Sequence, residues 1–547
     1  MEFTMKSLKY YLFVLGCQMN KSDAERIAGL VECFGFTATL KPEEANLIAV
    51  VACSVRQSAV NRIKSRISGW NRIKKSRKAE NPLIIILTGC VLPADRKIFA
   101  KQFDLVLDTY EVPERLTEAL EESFGTKSFE NKQKCQFVIP SPVPKQVLGS
   151  GPSLPRPASP AGRDPSLYSQ KGFLDSPSTR LGVARNDNTR SVPILTPLLN
   201  ITSADFFGLA PVYSSNFQAY VPIQTGCNNF CSYCAVPYTK GREKYRPYKE
   251  IVQEVKKLVQ DGYKEITLLG QNVNTYFDPA LKDAIGARQK YRQWSALTDF
   301  PRLLRLIADI SGNWWLRFVT SNPWDMSEET IKAVADCERI CEYIHLPLQS
   351  GSDRILKLMN RHHTQKDYLE LIDKIRAIIP GVAISTDIIV GFPGEAEADF
   401  LATAKVMEQA KFDMAYLARY SPRPGTVAAK MMKDDSSAAE KIRREKYLEL
   451  ILRQTALFNN QNYIGKEVEV LIESIKYKVV SIKYEEDGIK NNESSIKNGN
   501  KMLAFGKTRT FKTVKFKTDR DCVGQFVSVK ITEAREFGLE GELCKKK

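Results

Sequence analysis

The stretch "GCNNFCSYC" at residues 226–234 puts Cys227, Cys231 and Cys234 on one short loop. Thiolates are the usual ligands of iron–sulfur clusters. Spacings of four and three residues let one loop wrap three corners of a cube. The fourth iron is then open to an outside molecule. The same spacing suits a zinc knuckle, a redox dithiol or plain buried cysteines. A structural zinc site is normally closed by a fourth ligand; none follows nearby, and Cys337 and Cys341 could supply one only from elsewhere in the fold. A second trio is dispersed. Cys17, Cys53 and Cys90 each close an apolar run, "YYLFVLG", "NLIAVVAC" and "LIIILTGC". Such runs read as buried parallel strands, and ligands bind at the C-terminal edge of open α/β sheets.

The rest of the composition narrows the chemistry. The chain has 12 cysteines, mostly far apart, and only three histidines, His345, His362 and His363. Scattered thiols in a long chain point to metal or catalytic use in a reducing, cytoplasmic compartment. Zinc sites built on histidine are scarce. The formal charge of +17 suits a polyanionic partner such as nucleic acid or an anionic surface. No stretch approaches the roughly 18 to 20 apolar residues of a membrane span. The start, "MKSLKYYLFVLGC", has features of a lipoprotein export signal, but it reads better as a first buried strand with Cys17 in the turn after it.

These residues need elements to hold them. At 547 residues the chain has room for about three to four domains. The fold class is α/β. A parallel α/β sheet is expected over 1–127 and a low-complexity, disordered insert over 128–215, rich in Pro, Ser and Gly. Strand–helix alternation over 216–440 has the rhythm of a partial (β/α) barrel with its site at the C-terminal mouth. A basic connecting helix is expected at 441–463. A small antiparallel β-barrel follows at 464–540. Residues 279–296 and 484–500 read as polar loops.

Beyond the loop, "AVPYTKGREKYRP" follows the cysteines. Together the two segments resemble the radical S-adenosylmethionine (SAM) enzymes, and more narrowly the MiaB family of tRNA methylthiotransferases. The resemblance extends to "LGCQMNKSD", "ACSVRQSAVNRI", "LLGQNVNTY", "HLPLQSGSDRILKLMNR", "DIIVGFPGEAEADF" and "YSPRPGTVAA". It covers nearly the whole chain outside 128–215. It implies two 4Fe-4S clusters, one on Cys227, Cys231 and Cys234, the other on Cys17, Cys53 and Cys90. The open iron of the first would chelate SAM, and an electron from it would give a 5'-deoxyadenosyl radical. The second would carry the sulfur to be transferred. The implied reaction is methylthiolation at C2 of N6-isopentenyladenosine beside the tRNA anticodon. Sister branches act on N6-threonylcarbamoyladenosine or on a ribosomal-protein aspartate. The partners implied are tRNA and an electron donor such as flavodoxin or ferredoxin, with the chain a monomer.

The resemblance also implies SAM contacts from Tyr233, Gly270, Gln271, Asn272, Gln349, Ser350, Asp387 and Gly391. Asp387 reads equally well as a buried, hydrogen-bonded carboxylate, and Arg246 and Arg317 as partners of carboxylates. The C-terminal barrel resembles a TRAM domain, whose run "KTRTFKTVKFK" would offer RNA a basic strand face. The helix "NRIKSRISGWNRIKKSRK" is a second basic stretch. Three departures from the family pattern bear on fine substrate contacts: Asn322 in place of a histidine, Tyr245 in place of a serine, and the barrel strand's "GKTRTFKTV" where a Gly-Arg-Thr and a later Asn are usual.

Overall fold

In the computed structural model the described residues are 8–54, 57–78, 81–124, 203–279, 299–476 and 502–544. The apolar runs that end in cysteine become neighbouring strands. β1 (Lys9–Leu15), β2 (Thr37–Ala38), β3 (Leu47–Cys53), β4 (Ile84–Cys90) and β5 (Leu105–Val106) form a parallel sheet in the order β2-β1-β3-β4-β5. Helices α1 (Gln18–Cys33) and α4 (Val112–Phe124) pack on one face. Helices α2 (Gln57–Lys75) and α3 (Pro93–Phe99) pack on the other. Cover on both faces is why β3 and β4 are apolar without alternation.

The central strands are β6 (Gln218–Pro222), the short antiparallel pair β7 (Gln224–Thr225) and β8 (Lys244–Tyr245), then β9 (Glu265–Leu269), β10 (Trp315–Phe318), β11 (Tyr343–His345), β12 (Ala383–Val390) and β13 (Met414–Arg419). They make two parallel sheets, β10-β9-β6 and β11-β12-β13, tied by a parallel bridge between Leu316 and Ile340. The result is an open arc of a (β/α) barrel. Its helices are α5 (Val236–Thr239), α6 (Tyr248–Gln260), α7 (Phe300–Ala308), α8 (Glu328–Asp336), α9 (Asp353–Leu358), α10 (Gln365–Ile378), α11 (Glu397–Ala410) and α12 (Val427–Met431). The basic helix α13 (Ala438–Gln461) leads into β14 (Glu467–Lys476), β15 (Met502–Thr508), β16 (Thr513–Thr518), β17 (Phe526–Arg535) and β18 (Gly538–Leu543), a closed barrel.

Three findings differ from the sequence reading. First, the C-terminal barrel is not wholly antiparallel, because β16 and β18 pair in parallel. An odd number of strands cannot close with every neighbour reversed. Second, part of the expected insert is built into the N-terminal domain. Residues 203–208 form a 3-10 turn, and Phe206 and Leu209 are buried in the core with α1 and α4. The guanidinium of Arg26 donates to the carbonyls of Phe207 and Leu209 at 3.0 and 2.5 Å. Two apolar side chains and a buried arginine dock the apolar patch "DFFGLAPVY", which stands out from the Pro-, Ser- and Gly-rich insert around it. The rest of the insert, and the loops at 280–298 and 484–500, lie outside the described residues.

Third, the basic run at 507–517 is largely turned inward. Arg509 pairs with Glu342 at 2.7 Å and Lys512 with Asp413 at 2.6 Å. Phe511 stacks on Tyr343 with ring centroids 4.8 Å apart. Arg317, itself paired with Glu265, donates to the carbonyls of Thr508 and Arg509 at 2.8 and 2.7 Å. The run therefore fastens the β-barrel to the start of the central strands. Alternation of charged and apolar residues cannot say whether a basic face meets phosphate or a carboxylate of the same chain.

The N-terminal sheet is fastened to the central arc through Glu254, which takes Arg246 at 2.8 Å, Arg26 at 3.1 Å and the Tyr213 hydroxyl at 2.7 Å. Burial pushes its carboxyl up, but Arg246 and Arg26 outweigh burial and hold it at about 2, against an ordinary 4.5. A lowered carboxylate stabilises the fold above its unfolded-state value and loses that contribution as pH falls through the folded one. Wild type should lose stability between pH ~4.5 and ~2 more steeply than Glu254→Gln, as read by urea unfolding across that range.

Candidate functional site

Adjacency in the sheet gathers the dispersed trio. Cys53 and Cys90 are register partners at the ends of β3 and β4, and their thiols are hydrogen-bonded neighbours. Cys17 caps the start of α1, just beyond the end of β1, and its thiol meets Asn20 Oδ1 at 3.4 Å. Cys90 is buried, Cys53 half-buried and Cys17 exposed, so the trio opens outward from the sheet edge. Asn20 lies in the middle of it. A methyl group on Gly89 would come within 2.8 Å of the Asn20 amide nitrogen, which is buried and has no hydrogen-bond acceptor.

The second trio sits on a loop between β7 and α5 that is held from several sides. Gly226 has φ +79°, and a Cβ there would lie 2.2 Å from the Arg242 carbonyl, so only glycine starts the loop this way. Its N–H donates to Gln271 Oε1 at 2.5 Å. Ser232 donates its N–H to the Met359 carbonyl at 3.0 Å and its hydroxyl to that of Leu358 at 2.8 Å. The Asn360 amide donates to the carbonyls of Asn229 and Phe230, each at 3.1 Å. Arg361 brings its guanidinium to 3.7 Å from the Cys231 sulfur. Among the described residues six non-glycines have positive φ. Four of them, Phe230, Thr320, Gln349 and Asn360, lie on or against this rim, the kind of strain that collects at functional sites.

Burial raises the thiols of Cys227 and Cys234, that of Cys234 to about 12. Such groups become thiolates readily only when a cation bears on them. Among the described residues no three His, Cys, Asp or Glu side chains gather tightly enough for a single metal ion. A cube places each thiolate on its own iron and so spreads its ligands further than one ion does. Three thiols per site fit cubes with an open corner.

The loop of the second trio lies close to the sheet edge that carries the first, since α5, which follows Cys234, packs on β4, which ends in Cys90. Lys240, six residues beyond Cys234, crosses to the N-terminal domain, where its ammonium meets Asp23 at 2.7 Å and the Thr109 hydroxyl at 2.9 Å. Both ions of the pair are buried.

The residues expected to touch SAM divide. Gln271 and Asn272 stand on the loop after β9. Asn272 donates to Asp325 at 2.7 Å, and its side-chain Oδ1, Asn274 Oδ1 and Ser321 Oγ are all buried and unpaired. Three orphaned polar atoms beside the loop suit a polar cofactor that would satisfy them. Gly270 abuts Gln224. Tyr233 packs edge-on to Phe392 at 6.5 Å. Asp387 is neither buried nor alone, and lies 3.4 Å from His345 Nε2. Ser350 is fully buried, 3.4 Å from the Thr403 hydroxyl and accepting from the Ser352 N–H, which makes it part of the turn. Gly391 donates its N–H to Glu395 at 2.6 Å, and Glu395 pairs with Arg444. Arg246 and Arg317 are both in carboxylate pairs, as their surroundings in sequence suggested.

The departures at 322 and 245 each meet a carboxylate, one buried and one half-buried. Asn322 donates to Asp325 at 2.9 Å, and the Tyr245 hydroxyl donates to Glu243. Burial raises both carboxyls. Neither acid was singled out from the sequence. Nor were Lys240, Asn20 and Arg361, although all three stand within quoted motifs.

Comparison with known proteins agrees with this anatomy. The family model described as the Radical SAM superfamily matches residues 221–407. The uncharacterized protein family UPF0004 matches 9–108 and the TRAM domain 495–544. The chain is 36% identical to the tRNA-2-methylthio-N(6)-dimethylallyladenosine synthase of Thermoanaerobacter pseudethanolicus, over 98% of this chain and 93% of that protein. It is 35% identical to the synthase of the same name from Dictyoglomus thermophilum, over 98% and 99%. A radical SAM methyltransferase from Kitasatospora setae superposes with a TM-score of 0.43 at 12% identity, over 76% of this chain and 73% of that one. With such identity to relatives along nearly its whole length, the chain belongs to the family of the tRNA-2-methylthio-N(6)-dimethylallyladenosine synthases.

Proposed function

We infer that this protein adds a methylthio group to C2 of N6-isopentenyladenosine beside the tRNA anticodon, by radical SAM chemistry. The observation that carries this reading is the meeting of two separately encoded thiol sets: α5, which follows Cys234, packs on β4, which ends in Cys90, and Lys240 reaches across to Asp23 at 2.7 Å. Relatives matched over nearly the whole chain are named for the same product.

In this reading Cys227, Cys231 and Cys234 would hold one 4Fe-4S cluster, and Cys17, Cys53 and Cys90 another. When bound, the first supplies the electron that splits the sulfonium of SAM and the second supplies sulfur. The chain's own residues do the positioning. Ser232, Gln271 and Asn360 fix the loop so that its thiols keep their spacing. Arg361 offsets negative charge at Cys231. Asn272, Asn274 and Ser321 offer unpaired polar atoms to SAM, and Tyr233 and Gln349 line its approach. Lys240, anchored on Asp23, sets how far apart the two trios stand. The target adenine must leave its stack, because C2 is out of reach inside one. A donor such as flavodoxin or ferredoxin delivers the electron to a monomer in the cytoplasm.

The test is nucleoside mass spectrometry of bulk tRNA from a bacterium that lacks its own adenosine methylthiotransferases and expresses this chain. Appearance of 2-methylthio-N6-isopentenyladenosine is the expected result. A methylthio group on threonylcarbamoyladenosine instead would move the substrate to the sister branch. Neither product, from a chain loaded with both clusters, would overturn the reading.

A further inference from the structure

Residues 57–78 hold eight Lys and Arg and not one Asp or Glu. The structure sorts them. Ala59, Val60, Ile63, Ile67 and Trp70 turn the apolar side of α2 into the core. Arg62, Lys64, Arg66, Arg72, Lys75 and Lys78 are exposed, and none forms an ion pair with a described residue. The other two cations are taken, Lys74 by Asp104 and Arg77 by the Glu43 carbonyl. Like charges such as Arg62 and Arg66, four apart on one helix, repel each other. A row of them finds its counter-charge in a polyanion.

The place of this row matters as much as its charge. The helix begins four residues after Cys53. The carboxamide oxygen of Gln57, its first residue, accepts from Arg423 of the loop after β13 at 3.3 Å, so its head lies at the rim of the paired thiol sites. From there it runs for roughly 28 Å at 1.5 Å per residue. Asn71 donates to the Gln102 carbonyl at 3.0 Å, which brings the exposed Lys97 and Lys101 alongside. The alternative basic surface, the run at 507–517, spends Arg509, Lys512 and Lys515 on Glu342, Asp413 and Glu540.

We propose that the exposed face of α2, extended by Lys97 and Lys101, is the track on which the phosphate backbone of the substrate tRNA lies, leading its target base to the rim at Cys53. This rests on the tRNA reading above. Contacts of this kind give affinity and register rather than sequence discrimination.

The test uses the full-length, cluster-loaded protein and tRNA carrying isopentenyladenosine without the methylthio group. The triple variant Arg62→Gln, Lys64→Gln, Arg66→Gln is compared with Lys249→Gln, Lys256→Gln, Lys257→Gln, which removes the same charge from the exposed side of α6. Kd is read by fluorescence anisotropy at several salt concentrations, and melting curves check that both variants fold. The α2 variant should bind about 10- to 100-fold more weakly near 0.15 M salt, and its log–log salt slope should fall by about two to three. The α6 variant should stay within about twofold of wild type. Unchanged affinity in the α2 variant, or equal weakening in both, would overturn the proposal. Wild-type protein that fails to bind the tRNA at all would overturn the reading beneath it as well.

Discussion

Cys227→Ala is expected to bring 5'-deoxyadenosine formation from SAM down to background, whereas Cys53→Ala keeps deoxyadenosine and loses the methylthio product. The contrast follows from where the two thiols stand. Cys227 is the first of three thiols on a loop whose backbone is fixed at Gly226 and Ser232 and, by the Asn360 amide, at Asn229 and Phe230, which holds their spacing. Losing even an outer partner of a metal ligand commonly costs about 10–100-fold in affinity or activity, and losing the ligand itself costs more. Cys53 belongs to the other trio, on a different domain, and its removal leaves the loop intact. Measuring deoxyadenosine and methylthio nucleoside in the same reaction separates the two effects. Deoxyadenosine at the wild-type rate from the Cys227 variant would show that the loop is not the SAM-cleaving site.

Lys240→Met is expected to destabilise the junction of the two trios by ~3–5 kcal/mol, the usual cost of leaving one member of a buried ion pair uncompensated. Burial alone would lower the Lys240 ammonium's pKa, but Asp23 and nearby groups hold it above its ordinary value. Asp23 would be left in the interior with no partner. The double variant Lys240→Met, Asp23→Leu should regain much of the loss, because a buried pair replaced by apolar side chains is often neutral. Stability is read by urea unfolding. If the lysine also positions the sites, the double variant will fold yet form less methylthio product per deoxyadenosine released. Full coupling in that variant would reduce Lys240 to a structural brace.

Much of this was legible in the sequence because it is local. Three thiols within eight residues fix a loop chemistry whatever surrounds them. Apolar runs without alternation suit strands covered on both faces, which put Cys17, Cys53 and Cys90 at strand ends, although of the three strands β1 is only half-buried. The domain order and the family likeness followed from motifs of the same local kind. What stayed hidden depends on partners far away in the chain. The 217 positions between Lys240 and Asp23 leave no pattern that a window of residues can detect. The same holds for Asp325 and Glu243, which gained meaning only when Asn322, Asn272 and Tyr245 were found on them.

The two basic stretches make the division plain. By sequence, "KTRTFKTVKFK" and the basic stretch "NRIKSRISGWNRIKKSRK" are both candidates for phosphate. Composition determined that this protein carries cations to spare and two sets of three thiols. Only the tertiary structure decided which cations meet carboxylates of their own chain and which face outward, and that the segment after Cys234 packs on the strand that ends in Cys90. A charge is satisfied by whatever the fold brings within a few ångströms of it, and that distance is not written along the chain.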